Sequence, residues 1–119
     1  MNITVLGFGS WGGTVAQHLT TLDHNVIGWH PFPKEIAEMQ STGQHLLISQ
    51  LTISKDIQLT TDLQNSLRDA EIVVVATPSH VVRSIIGESA KHIKDDAIIV
   101  NLAKGVENDT LQTMSQVIA

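Results

Sequence analysis

The stretch that decides the fold is residues 3–12, which read Ile3-Thr4-Val5-Leu6-Gly7-Phe8-Gly9-Ser10-Trp11-Gly12. Its first four residues are apolar or β-branched and predict a short buried strand that ends at Gly7. The apolar side chains that follow recur at helical spacing, at Trp11, Val15, Leu19 and Leu22. The sequence therefore predicts a strand that passes through a glycine-rich turn directly into a helix.

The three glycines of this turn have separate predicted roles. Gly7 permits the tight turn, Gly9 lets a ligand approach the backbone, and Gly12 lets the helix pack close to the sheet. The free N–H groups and the dipole at the start of the helix favour an anion such as a diphosphate. The G-x-G-x-x-G pattern is weak by itself, and a glycine turn without a ligand is the alternative. The strand before it and the helix after it favour the pyrophosphate of a dinucleotide.

The same alternation of short strands and longer helical stretches continues along the chain. Further strands are predicted at 25–29, 57–60 (an edge strand), 72–76 and 97–101, the last two as buried strands because they are almost wholly apolar. Helices are predicted at 34–40, at 62–67 with Asp62 as its cap, after Thr77, and from Asn108 or Asp109 to the end. Residues 41–55 show no dominant period and are predicted as loop.

This alternation predicts an α/β fold over residues 1–119. The expected architecture is a Rossmann-type doubly wound parallel sheet in a three-layer αβα arrangement, with strand order 3-2-1-4-5. A chain of 119 residues with 42% hydrophobic content suits one globular domain.

Composition excludes several classes of function. The chain has no cysteine, which excludes disulfides, zinc–thiolate sites and cysteine nucleophiles, and we expect no metal site. Seven basic and twelve acidic residues give a net charge of −5, which argues against a nucleic-acid or anionic-membrane surface. The longest apolar run, residues 72–76, is too short to span a bilayer, and the N-terminus does not read as a signal peptide. We therefore expect a cytoplasmic protein without membrane insertion.

Three loops are expected to line one crevice, because ligands of open parallel sheets bind beyond the carboxyl ends of the strands. The glycine turn follows the first strand, Thr77-Pro78-Ser79 follows the fourth, and Ala103-Lys104-Gly105 follows the fifth. Pro78 fixes the backbone there. Lys104 supplies a point positive charge for an anionic group of a cofactor or substrate. A solvated lysine before a helix is the alternative.

The second predicted strand lacks the acidic residue that usually follows it. It ends Gly28-Trp29-His30-Pro31, and the next carboxylate is Glu35. A carboxylate at this place would bind the ribose hydroxyls of NAD and repel the extra phosphate of NADP. The sequence therefore leaves the choice between NAD and NADP open. His30 is a candidate cofactor ligand, with a structural or solvated histidine as the alternative.

Together these motifs resemble the N-terminal domain of bacterial glycerol-3-phosphate dehydrogenase. The family's G-x-G-S-W-G-T-A turn, T-T-D-L, P-S-x-x-x-R and K-G-[IV]-E segments are matched in order from Gly7, Thr60, Pro78 and Lys104. The chain differs in three places: Phe8 replaces a small residue, Pro31 stands where many members have arginine, and no Y-L-P-G segment lies between 40 and 57.

The resemblance implies an oxidoreductase that interconverts glycerone phosphate and sn-glycerol 3-phosphate by hydride transfer with NAD or NADP, in glycerophospholipid synthesis. It assigns cofactor contacts to this chain that, with those argued above, are Gly7, Gly9, Ser10, Trp11, Gly12, His30, Pro78 and Lys104. Lys104 would also bind the phosphate of the small substrate. No catalytic residue is assigned here, because the family's Lys-Asn segment lies in a helical C-terminal domain beyond this sequence. We therefore expect this stretch alone to bind cofactor without turnover.

Two other interpretations remain open at this stage. One is the NAD(P)-binding domain of a related dehydrogenase, of the ketopantoate reductase or β-hydroxyacid dehydrogenase type. The other is a stand-alone NAD(H)-sensing module without catalysis. The sequence does not decide the oligomeric state, and a homodimer is among the alternatives.

Overall fold

A computed structural model describes residues 1–45, 53–77 and 82–102 of the chain. Its strands are β1 (Asn2–Leu6), β2 (Asn25–Trp29), β3 (Ile57–Thr60), β4 (Ile72–Val75) and β5 (Ile98–Asn101). Its helices are α1 (Ser10–Thr21), α2 (Pro33–Thr42), α3 (Leu63–Leu67) and α4 (Val82–Ser89). For the first two residues of α1 and of α4, only the backbone is described.

The strands form one parallel sheet in the order β3-β2-β1-β4-β5, which confirms the predicted order and the Rossmann-type fold. In the register of the sheet, Val5 of β1 pairs with Gly28 of β2 and with Val74 of β4. The chain runs outward from β1 to β3 and then returns to the other side of β1 as β4. The point at which the strand order reverses therefore lies between β1 and β4, beside the glycine turn.

Each face of the sheet carries its own hydrophobic core. The cluster on the face of α1 and α2 includes Ile3, Val5, Ala16, Val26, Ile36, Met39, Ile57 and Val74. The cluster on the face of α3 and α4 includes Leu6, Trp29, Leu67, Ala70 and Val73, with Ile85 and Ile93 packed against it. Successive side chains of a strand point to opposite faces. This explains why β4 is apolar at every position, and its predicted burial is confirmed.

Local signals set the ends of the helices. Helix α2 has Pro33 in its first turn and ends at Gly43, which adopts the left-handed conformation with φ 71°. The helix is thus longer than the predicted 34–40. Asp62 is confirmed as the cap of α3, because its carboxylate accepts a hydrogen bond from the N–H of Asn65 at 3.1 Å.

One sequence prediction about burial is wrong. Strand β5 was expected to be buried, yet Ile98, Ile99 and Val100 are 59%, 39% and 40% exposed. Strand β5 lies at the end of the sheet: among the described residues it pairs only with β4, and neither core cluster includes these three side chains. Leu22 continues the apolar pattern of α1 but is 53% exposed, because it lies at the cap after the helix ends.

Several predicted elements lie outside the described residues. They are the last helix, the Thr77-Pro78-Ser79 opening beyond Thr77, and the Lys104 loop. Within the part of the chain that is described, no helix has both the length and the apolar character needed to cross a membrane.

The cap of α3 generates a prediction about stability. Replacing Asp62 by alanine (Asp62→Ala) should lower the free energy of unfolding by about 1 kcal/mol, because the Asn65 amide loses its acceptor. Urea denaturation measures the change. Asp56→Ala is the matched control, since Asp56 is an exposed turn residue before β3. Equal stability of the two variants would contradict a capping role for Asp62.

Candidate functional site

The glycine turn begins at a residue that must be glycine. Gly7 has φ 99°, and its N–H donates to the carbonyl oxygen of Trp29 at 2.9 Å. A Cβ at this position would lie 2.9 Å from the nitrogen of Thr77 and 3.0 Å from the carbonyl carbon of Ala76. Both the conformation and the space therefore exclude a side chain. Gly7 is held between the ends of β2 and β4.

Gly12 is required for a different reason. A Cβ on this residue would overlap the carbonyl oxygen of Gly7 and would lie 3.4 Å from the Cβ of Ala76. The first turn of α1 thus rests directly on the backbone of the turn that precedes it. This is the close helix–sheet approach predicted for the third glycine of the pattern.

Gly9 is the exception, because the protein itself does not need a glycine there. Its φ of −79° is accessible to any residue, and a Cβ would meet no atom of the described residues within 4 Å. Gly9 is also the N-cap of α1, so no side chain of the cap satisfies the first amides of the helix. Protein atoms therefore occupy the Cβ positions of Gly7 and Gly12, whereas no described atom occupies that of Gly9. A turn that binds a phosphate group requires such an open position.

Phe8, which departs from the family pattern, is accommodated by a glycine on the neighbouring strand. Its side chain is 1% exposed and belongs to the core on the α1 face. A Cβ on Gly28 of β2 would lie 2.7 Å from Cδ1 of Phe8 and 3.0 Å from Cδ2 of Leu59. The phenyl ring thus occupies the space that a side chain at residue 28 would take.

A buried histidine contacts the turn from behind, and sequence analysis missed it. His45 follows α2 and is 3% exposed. Its Nε2 lies 3.1 Å from the carbonyl oxygen of Phe8 and 3.0 Å from that of Gly9. The predicted loop of residues 41–55 gave no periodic signal that would have singled it out.

A carboxylate does lie near the carboxyl end of β2, although none follows that strand directly in sequence. His30 comes immediately after β2, and its Nε2 and the Oε2 of Glu35 are 3.3 Å apart. Glu35 belongs to the first turn of α2, which folds back toward the strand. The two side chains are 14% and 42% exposed, respectively. The exposed ring of Phe32 packs edge-on against His30, with 5.6 Å between the ring centroids.

Two buried polar atoms near this edge have no hydrogen-bond partner among the described residues. They are Oγ1 of Thr77 and Nδ1 of His30. Thr77 is 5% exposed and follows β4 beside Gly7. Buried polar groups are nearly always paired with protein, water or a ligand. Both atoms lie buried at the carboxyl edge of the sheet.

The structure brings together part of the predicted site. Gly7, Gly9, Gly12 and His30 lie at one edge, joined by the hydrogen bond from Gly7 to the end of β2. Ser10 and Trp11 start α1, but their side chains are not described, and Pro78 and Lys104 lie outside the described residues. In the described ranges, no three His, Asp or Glu side chains are grouped as metal ligands.

A cavity of about 230 Å³ lies elsewhere in the molecule. It is lined at the amino ends of the strands by residues that include Asn2, Asn25, Asp56 and Asp69. In a parallel sheet these ends face away from the edge where ligands bind, so we do not assign the cavity to the site.

A parallel sheet with this reversal of strand order and a glycine turn entering α1 define a Rossmann-type domain, the class in which dinucleotides bind at such a turn. Comparison with known proteins narrows the class. Residues 2–119 match the family described as NAD-dependent glycerol-3-phosphate dehydrogenase N-terminus, and the chain belongs to this family.

Individual relatives agree with the family. A glycerol-3-phosphate dehydrogenase [NAD(P)+] from Thermoanaerobacter is 44% identical over 119 residues, which are 99% of this chain and 36% of that protein. A second, from Lactobacillus delbrueckii, is 38% identical over 98% of this chain and 35% of its own length. The crystal structure of glycerol-3-phosphate dehydrogenase from Coxiella burnetii has the same fold, with a TM-score of 0.90 at 24% identity, over 98% of this chain and 36% of that one. The chain thus spans about a third of the length of these relatives.

The different surroundings of Gly9 and Gly12 generate a prediction about stability. Gly12→Ala should lower the free energy of unfolding by about 2 kcal/mol or more, because the new methyl group overlaps the Gly7 carbonyl. Gly9→Ala should change it by less than about 0.5 kcal/mol, because the methyl group enters open space. Thermal and urea unfolding of both variants test the contrast. Equal losses of stability would show that the turn is not packed in this way.

Proposed function

We propose that residues 1–119 form the cofactor-binding domain of an oxidoreductase that interconverts glycerone phosphate and sn-glycerol 3-phosphate with NAD or NADP. The observation that carries the proposal is the open space at Gly9, between two glycines that the protein's own atoms enclose. Family membership supplies the reaction. It favours this interpretation over a ketopantoate reductase or a β-hydroxyacid dehydrogenase.

The residues present fit a dinucleotide. The amides at the start of α1 would hold its pyrophosphate, since Gly9 leaves their approach clear and brings no side-chain cap. The buried hydroxyl of Thr77, which has no hydrogen-bond partner among the described residues, lies beside Gly7. When bound, the reduced nicotinamide supplies the hydride of the reaction. The part of this chain in the mechanism is to bind and orient that cofactor.

The remaining parts of the proposal rest on the resemblance to the family. Pro78 would border the cofactor, and Lys104 would reach both the cofactor and the phosphate of a small phosphorylated substrate. The groups that transfer the proton would come from sequence that the relatives have beyond this third of their length. A cytoplasmic location is part of the same proposal, because a chain without cysteine suits a reducing compartment.

Binding of NADH tests the proposal most directly. The full chain should bind NADH or NADPH, and Gly9→Val should abolish that binding while the protein stays folded, because the isopropyl group fills the space left for phosphate. Calorimetry measures the affinity, and circular dichroism checks the fold. Binding of NADH to Gly9→Val with unchanged affinity would rule out this seat for the pyrophosphate.

The position of Glu35 bears on the choice of cofactor. The carboxylate of Glu35 lies beside His30, the residue that follows β2, and we propose that it acts as the acidic residue that meets the adenosine ribose at the end of the second strand. A negative charge there repels the 2′-phosphate of NADP and accepts hydrogen bonds from the ribose hydroxyls of NAD. Glu35 therefore supports a preference for NAD.

The expected result is that Glu35→Gln raises the affinity for NADPH relative to NADH by about tenfold, because one carboxylate near a phosphate is removed. Glu38→Gln is the matched control, since Glu38 is an exposed residue of the same helix. Dissociation constants for both nucleotides give the ratio. If the ratio moves equally in both variants, the effect is one of net charge and not of the site.

A further inference from the structure

We infer that His45 is a positioning residue for the cofactor, and this inference rests on the proposed function. His45 sets the direction of the backbone amides of Gly9 and Ser10 by holding the two carbonyl groups that precede them. It does not itself contact the open side of the turn. Its effect on binding would pass through the peptide groups of residues 8 and 9.

The first step of the argument is the hydrogen bonding of the imidazole. Nε2 of His45 lies 3.1 Å from the carbonyl oxygen of Phe8 and 3.0 Å from that of Gly9. Carbonyl oxygens only accept hydrogen bonds, so Nε2 carries the hydrogen and donates to both. The contact is buried, because His45 is 3% exposed. A shared donor of this kind fixes the two carbonyl groups relative to each other.

The second step follows from the planarity of the peptide group. In a trans peptide, the C=O bond and the N–H bond of the next residue point in opposite directions. When His45 binds the oxygens of Phe8 and Gly9, the N–H groups of Gly9 and Ser10 are directed to the opposite side. Beside these N–H groups, a Cβ built on Gly9 would have no atom within 4 Å in the part of the chain that the structure describes. A hydrogen bond donated to a carbonyl group also polarises the amide of the same peptide, which strengthens it as a donor.

The third step is the space made for the imidazole. A Cβ on Gly13 would lie 2.6 Å from both Cδ2 and Nε2 of His45, so the ring fits only because residue 13 has no side chain. The Gly13 N–H also donates to the Gly9 carbonyl at 2.8 Å, as the first hydrogen bond of α1. The Gly9 oxygen thus accepts one bond from the helix and one from His45. The imidazole also packs against the phenyl ring of Phe8, with 5.4 Å between the ring centroids.

The position of His45 is itself held by the loop after α2. Gly43 ends that helix in the left-handed conformation, and its carbonyl oxygen accepts a hydrogen bond from Ile53 at 2.8 Å. The end of α2 is thereby tied to Ile53 in the segment before β3. Through His45, the helix that carries Glu35 and the glycine turn share one hydrogen-bonded connection.

Three variants of the full chain test the inference with NADH as the probe. His45→Leu keeps most of the volume and removes the donor, and it should raise the dissociation constant about tenfold. His45→Gln retains a side-chain N–H of similar reach and should bind NADH within about twofold of the original protein. His45→Asn has a donor that is too short and should behave as His45→Leu. His18→Leu, at an exposed position of α1, is the control and should bind NADH normally.

Amide resonances of Gly9 and Ser10 give a second readout. Because His45→Gln and His45→Asn both lack the ring current of the imidazole, they should differ through the hydrogen bonds alone, with the resonances of His45→Gln nearer to those of the original protein before any nucleotide is added. Should His45→Leu fail to fold, the comparison of His45→Gln with His45→Asn decides. Equal NADH affinity in the glutamine and asparagine variants, or unchanged affinity in His45→Leu, overturns the role of His45. Failure of the original protein to bind NADH or NADPH would instead overturn the proposed function.

Discussion

The structure depends on the contact between the start of α1 and the backbone of the turn before it. Gly12 lies so close to the Gly7 carbonyl that no side chain fits between them. This contact fixes where α1 crosses the sheet and brings Ala16 into the core without exposed surface. It also fixes the position of the first amides of the helix. They lie at the carboxyl edge of the sheet, where β1 stands between β2 and β4. The same contact therefore determines both how α1 packs on the sheet and where the candidate site lies.

Behind the turn, two aromatic side chains occupy the space that side chains at two glycine positions would take. Phe8 fills the space above Gly28, and His45 fills the space above Gly13. The core of the α1 face therefore extends to the underside of the turn and supports it. On the other side of the turn, no described atom lies within 4 Å of the Cβ position of Gly9. A rigid support on one side and an open surface on the other are the conditions under which backbone amides bind an anion without rearrangement.

Local patterns predicted the cap at Asp62 and the distinct roles of Gly7 and Gly12, because each depends on neighbours in sequence. The strand order was predicted from the alternation of strands and helices together with the general rules for parallel sheets. His45 could not be found in this way, since its contacts join residues 36 and 37 positions apart from a segment without periodicity. Glu35 was not predicted as a ligand, because an acidic residue was expected directly after β2 and Glu35 lies in the first turn of α2. The expected burial of β5 was wrong because an apolar sequence shows that a strand needs cover and does not show which element provides it.

The pairing of Phe8 with Gly28 and of His45 with Gly13 limits how far the turn can be treated as a portable motif. Residues 7–12 moved alone into another α/β scaffold would bring a phenyl ring that meets a side chain on the adjacent strand. They would also lose the imidazole that holds their carbonyl groups. A protein engineer would have to transfer Gly13, Gly28 and His45 together with the loop. The working unit is thus a three-dimensional cluster drawn from three separate segments of the chain.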